Sequence, residues 1–336
     1  MPKLSLRLSG AIAPARCVDL AVAAQAAGYA GVWFAENPFN RGVLPAAAAC
    51  AAATTRIGIG IGVFNPYNRH PTLIAMEIGA LDELAQGRAR LGIGSGIASA
   101  TERMGLSAER PLAAARDAIS IVRAMLAGEE VTYRGRAFSA NAARLEYKPR
   151  RADLPLLMAA RGEQALALCG KIADGLMISN MCPPDYTRQA VALVCKSAQE
   201  AGRAPPADVV QYLPCAVRPD RREARALASA AVAEMLPAYW SLGQRVASAR
   251  SALLQAADLP ESDIADAVER LRAGVEANDA LDDRFIAAFA IAGTADDCLI
   301  QARRYRAAGA SELALTLLGG QPEADMKYLG DAIESE

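Results

Sequence analysis

The chain has 336 residues, long enough for two average domains or one large α/β barrel with a substantial core. Its 36 basic and 37 acidic residues leave a net charge of -1, which argues against a polyanionic partner such as nucleic acid. The seven scattered cysteines form neither a disulfide framework nor a zinc knuckle, and the opening residues lack a signal-peptide core. The most apolar region, 43–64, is broken by Thr54, Thr55 and Arg56, so no membrane span is expected and the reading is a soluble, cytoplasmic protein.

In chain order, residues 4–8 alternate as a strand, and 14–27 reads as a helix with Pro14 in its first turn and Gly28 as its stop. A short apolar strand, 31–34, ends at Glu36, Asn37 and Pro38, and the alanine-rich 44–55 suits a second helix. Strand 57–63 alternates Ile57, Ile59, Ile61 and Val63 with Gly58, Gly60 and Gly62, so one face is branched aliphatic and the other nearly bare, with room for something flat. Helix 71–86 and strand 89–93 follow, the latter ending in the loop Gly94, Ser95, Gly96. Helix 111–127 precedes a hairpin excursion near 131–147. The alternation resumes with strand 155–159, helix 163–173, strand 175–179, helix 184–201 and strand 209–217. A helical insertion spans roughly 220–282 before helix 294–308 and strand 311–318.

Eight strands alternating with helices predict a (β/α)8 barrel over one domain, 1–336, with its site at the C-terminal strand ends. An open doubly wound sheet has the same alternation but usually fewer strands. The predicted ends carry Glu36 and Asn37, Gly62 and Val63, Gly94 to Gly96, Ala160 to Gly162, and Ser179 to Met181. Glu36 is a candidate carboxylate for proton transfer or for holding a ring nitrogen, a surface carboxylate being the commoner use. The loop 94–96 allows a backbone to approach a ligand and equally makes an unliganded tight turn. Gly162 opens a helix whose free N–H groups suit a phosphate, with Arg161 adding charge, though such glycines also serve as ordinary turns. His70, the only histidine, precedes Pro71 and reads as a cap or loop residue, so a histidine metal cage is excluded. With no metal set and no nucleophile elbow, a bound cofactor has to supply the reactivity.

The run GIGVFNPYNRHPTLIAMEIGALDELAQGRARLGIGSG, with GYAGVWFAEN before it and ADGLMISNM after, resembles the bacterial luciferase-like superfamily of flavin- and deazaflavin-dependent oxidoreductases. The branch containing methylenetetrahydromethanopterin reductase is the most similar. The resemblance implies a TIM barrel with insertions, coenzyme F420 as cofactor, a small-molecule substrate and a homodimer. It implies a non-prolyl cis peptide at Gly62 and Val63, against which the ring packs. By the same resemblance Gly94, Ser95 and Gly96 form the cofactor's glycine loop, Ala160, Arg161 and Gly162 its phosphate-facing turn, and Ser179 and Asn180 line its tail. Two positions depart from the pattern: Glu36-Asn37 replaces an Asp-His pair, and Ile97 stands where an acid is common. Glu36 is then the candidate acid or polar anchor in a hydride-transfer enzyme. An FMN-dependent monooxygenase and a non-catalytic ligand-binding barrel are the alternatives. Tyr239, Trp240 and Arg245 in the insertion are candidate substrate contacts, or parts of a solvated helical hairpin. Residues 45–53 are small enough for close helix packing between subunits, and equally for packing within one barrel.

Overall fold

A computed structural model describes residues 1–256 and 258–334; residues 257, 335 and 336 of the expected 1–336 domain lie outside the described residues. The strands are β1 (Lys3–Ser9), β2 (Gly31–Ala35), β3 (Gly58–Phe64), β4 (Ala89–Ile93), β5 (Val131–Arg134), β6 (Ser139–Ala143), β7 (Leu156–Ala159), β8 (Gly175–Ile178), β9 (Asp208–Val217), β10 (Ile291–Gly293) and β11 (Glu312–Leu317). The order β1-β2-β3-β4-β7-β8-β9-β11 closes through β11 on β1, and every pairing in that ring is parallel. This is a (β/α)8 barrel, and the open-sheet alternative is excluded by the closure. β5 and β6 form the antiparallel hairpin, which stops at Ala143. Asp117, buried on helix Pro111–Leu126, ties it down by accepting from Tyr133 Oη at 2.9 Å and from the backbone N–H groups of Ala137 and Phe138.

Five barrel helices among the described residues begin on proline, at Pro14, Pro71, Pro111, Pro184 and Pro322, where the missing N–H belongs to a first turn that has no intrahelical partner. Three elements lie beyond the sequence reading. A short helix, Ala98–Arg103, follows β4; β10 pairs with Cys215–Val217 outside the ring; and helix Pro322–Glu334 comes after β11. The insertion also runs further than 282. Its helices are Arg221–Gly243, Ala247–Leu253, Glu261–Arg272, Ala277–Ala280 and Asp283–Phe289, packed around a core of their own that includes Leu236, Ile264, Val268 and Phe289. Met181, just past β8, belongs to that core, which seats the insertion against the barrel mouth.

The alternation in β3 sorts two layers. Ile57, Ile59 and Ile61 pack with the surrounding helices in the main core, while the glycine positions point into the barrel. There the bare face is not free, which corrects the expectation of an open flat slot. The Trp33 indole lies over Gly60 so closely that a Cβ would sit 2.3 Å from it, and Tyr212 and Met177 crowd Gly62 in the same way. The glycines exist to admit the barrel's own aromatic filling. Below, Glu312 is 1% exposed yet fully employed. It accepts from Ser5 Oγ and Trp33 Nε1 at 2.6 Å each and pairs with Arg90 at 2.5 Å. Arg90 covers the Trp33 ring at 4.6 Å and reaches Asp208 at 3.1 Å. A buried carboxylate with several charge-assisted partners is tolerable where an isolated one is not.

Candidate active site

Closing the barrel brings the predicted strand-end positions, Glu36 to Asn180, to one rim, because each immediately follows or ends a parallel strand. The Gly62–Val63 peptide is cis, and the β3–β4 register shifts between Gly62 and Phe64. The bulge turns Val63 toward β4. Its two methyl carbons stand 3.0 and 3.1 Å from where side chains on Gly92 and Gly94 would begin, so both glycines are needed for that contact. The carbonyl of Gly62 accepts from the buried Tyr212 hydroxyl at 2.9 Å. Burial pushes that phenol's pKa well up, so it stays protonated and donates.

Next to the bulge, the NPYNRHP segment folds over the mouth. Asn65 is buried and holds the loop by donating to Thr101 Oγ1 at 3.1 Å and accepting from the Tyr67 N–H at 3.0 Å. Gly96, at φ +63°, sits where a Cβ would meet the Asn65 amide at 2.9 Å. Ser95 is partly buried, and Ile97 is 65% exposed at the start of the short helix, projecting away from any packed surface. Arg69 donates to both oxygens of Glu36, at 3.2 and 3.1 Å, and pairs with Glu77 at 2.7 Å, while its guanidinium covers the Phe64 ring at 4.2 Å. Burial raises the Glu77 pKa, with Arg69 opposing the shift. Glu36 is thus a fixed, partly enclosed carboxylate, while Asn37 beside it is exposed. His70 caps helix Pro71–Leu84, its Nδ1 accepting from the Thr72 N–H at 3.3 Å.

Across the rim, Arg161 hydrogen-bonds to the Ser179 hydroxyl and to the Asn180 carbonyl, and stacks on Tyr239 of the insertion at 5.3 Å. Gly162 has φ +84° and opens helix Glu163–Ile172 without a side-chain cap. A Cβ there would lie 2.6 Å from Ser248, so the insertion presses on this turn. Ala160 is buried behind it. Trp240 packs into the insertion core, and Arg245 lines a cleft of about 580 Å³ between insertion helices that includes none of the strand-end residues. Among the described residues no cluster of His, Cys, Asp and Glu is placed to hold a metal.

Four functional candidates were missed by sequence reasoning: Arg7, Asn68, Arg69 and Tyr212. The signal for Arg7 was present in the alternation of Ser5, Arg7 and Ser9 with three leucines, since the apolar face of a barrel strand meets the helices and the polar face looks inward.

The family model described as luciferase-like monooxygenase matches residues 3–312. The chain belongs to that family. Among relatives of this luciferase-like protein, the 5,10-methylenetetrahydromethanopterin reductase of Methanolobus tindarius is 31% identical over 315 residues, covering 92% of this chain and 93% of the relative. The F420-dependent glucose-6-phosphate dehydrogenase of Beutenbergia cavernae is 31% identical over 228 residues, covering 64% of this chain and 67% of that one. In fold, the coenzyme F420-dependent tetrahydromethanopterin reductase from Methanopyrus kandleri superposes with a TM-score of 0.85 at 24% identity, covering 98% of this chain and 97% of that chain.

Proposed function

We propose that this luciferase-like protein is a single-domain oxidoreductase that transfers hydride between bound coenzyme F420 and a small-molecule substrate at the barrel mouth. The observation that carries the reading is the wall made by the Gly62–Val63 bulge, where Val63 stands against the bare backbone of Gly92 and Gly94. Such a surface suits one face of a flat ring, and it lies at the strand ends where barrels of this kind place their chemistry. The flat ring thus has its place at the rim bulge, above the interior that Trp33 fills.

The polar groups around the wall fit the rest of a deazaflavin cofactor. Asn68 Oδ1 and Asn180 Oδ1 are buried without a hydrogen-bond partner, and each would accept from a ligand donor. Arg161, Ala160 and Gly162 would hold the tail phosphate at the uncapped helix start, with Ser179 and Asn180 beside them. Gly94, Ser95 and Gly96 would line the ring edge. Glu36, fixed by Arg69, and Asn37 would serve as acid or polar anchor. When bound, the deazaflavin supplies the carbon that carries hydride. The relatives named for F420 dependence support this choice over FMN. Seven free cysteines suit a reducing compartment, and among the described residues no helix is long and apolar enough to cross a membrane, so the proposal includes a cytoplasmic protein.

Titrating the purified protein with F420 and, separately, with FMN while recording visible absorbance and fluorescence tests the reading. Saturable F420 binding, lost on substituting Asn180→Ala and Arg161→Ala together, is the expected result. Preference for FMN would overturn the cofactor, and binding neither would overturn the function.

A further inference from the structure

Inward-facing residues on β1 open progressively toward the rim: Ser5 is fully buried, whereas Arg7 and Ser9 are partly open. β11 lies beside β1 in parallel register, and along it Glu312 and Ala314 are sealed while Thr316 is partly open. Solvent therefore reaches Arg7 and Thr316 from the mouth, not from below. The other interior arginine, Arg90, is matched by Glu312 and Asp208. Arg7 has no such match. Its Nη1 donates to Thr316 Oγ1 at 3.2 Å, its guanidinium lies 5.0 Å from the Tyr212 ring centre, and its buried Nε meets no acceptor. Among the described residues no carboxylate forms an ion pair with it. A partly desolvated cation without a counter-charge is costly, in a barrel that pairs its other interior charges. Tyr212 in turn holds the Gly62 carbonyl, so this cation adjoins the bulge.

We infer that Arg7, with Thr316, is the subsite for an anionic group of the substrate, and that the substrate is a small carboxylate. The inference deepens the proposed function, since it seats the substrate beside the ring wall. The Nε–Nη2 edge of the guanidinium matches the two oxygens of a carboxylate, and Nη1 is already engaged by Thr316. The Thr316 hydroxyl accepts from Arg7 and keeps its own proton to donate to a second oxygen on the ligand. An arginine lacking an ion-pair partner also predicts that the charge is held for binding at some expense of stability, not for the fold.

Calorimetric titration with pyruvate, inorganic phosphate and neutral acetone, on the protein with and without F420, tests this, using wild type, Arg7→Lys and Arg7→Met. Wild type is expected to bind pyruvate saturably, Arg7→Lys to bind it several-fold more weakly because an ammonium keeps the charge but not the two-donor edge, and Arg7→Met to lose at least about tenfold, as expected for a charge-assisted hydrogen bond. Acetone should not bind, and F420 affinity should change less than about threefold in either variant. The thermal midpoint of Arg7→Met should equal or exceed that of wild type. Absence of pyruvate binding, equal binding by Arg7→Met, preference for phosphate, or a lowered midpoint in Arg7→Met would each overturn the inference. The titration without F420 keeps it separable: if F420 does not bind at all, the proposed function fails while the Arg7 result still stands or falls by itself.

Discussion

At the scale of single residues, the barrel interior shows why glycine occupies alternate positions of β3. Trp33 cannot retreat from Gly60, because its Nε1 is held by Glu312 on one side and its ring is covered by Arg90. A methyl at Gly60 would meet three indole atoms at 2.3, 2.5 and 2.7 Å. Gly60→Ala is therefore expected to destabilise the protein by about 1–3 kcal/mol through overpacking, read as a lower urea midpoint with an unchanged slope. An unchanged midpoint would mean that the indole is freer than its contacts show. The alternation of the strand was legible in the sequence, and so was its consequence that one face is bare. What fills that face was not, because Trp33 meets Gly60 only through the register of β2 on β3, and Tyr212, on β9, reaches Gly62 only once the barrel closes. Arg69 on Glu36 is a similar case, joining residues 33 apart that no local pattern relates.

At the scale of elements, strand and helix positions followed from periodicity, proline starts and glycine stops, which are local signals. Two of the elements that escaped have weak local signals: a six-residue helix after the glycine loop and a three-residue strand, β10, that exists only by pairing with β9. The third, helix Pro322–Glu334, carries the same proline start as the others, so its signal was local and was passed over. The seam between insertion and barrel was equally hidden. It includes Asp297, which completes the capping box of helix Ala295–Ala307 with Thr294 and also takes two hydrogen bonds from Arg221, at the start of the insertion. Hydrogen bonds from Arg221 are the main cause holding the Asp297 pKa down to about 2; desolvation opposes them and Thr294 adds to them. Since the folded value lies below the unfolded one, the stabilisation is fully present above about pH 4 and is lost as pH falls through about 2. Asp297→Asn should thus lower the unfolding free energy by a constant amount near neutral pH, below about 2 kcal/mol because Arg221 is mostly exposed and screened. The gap between variant and wild type should narrow in acid denaturation series between about pH 4 and 2. A gap that widened toward acid would contradict the sign.

For the whole molecule, one uncovered apolar stripe runs along helix Pro71–Leu84, the helix that is capped by His70 and carries Glu77 back to Arg69. Leu73, Met76 and Leu84 are 47, 48 and 45% exposed, and their spacing places them along one side of the helix. Tyr147 borders the stripe, its hydroxyl donating to the Met76 carbonyl at 3.0 Å. The neighbouring helix, Val43–Ala53, presents the exposed alanines Ala52 and Ala53, so a second chain could approach closely without a side-chain barrier. An apolar stripe flanked by small residues suits a self-complementary, two-fold contact, and we propose a homodimer through these two helices. The small residues at 45–53 in the sequence were compatible with this arrangement but also with internal packing, and the structure divides them: Ala46, Ala47, Cys50 and Ala51 are buried, Ala48 packs against the same core, and Pro45, Ala52 and Ala53 are exposed. Light scattering behind size exclusion should give twice the chain mass for wild type. Met76→Lys should give the single-chain mass with an intact circular dichroism spectrum, because Met76 is half exposed and a lysine there costs the isolated chain little. Ile300→Lys, on helix Ala295–Ala307 and 56% exposed, should leave the dimer intact. A monomeric wild type, or a Met76→Lys protein still at twice the chain mass, would show that the stripe has another role.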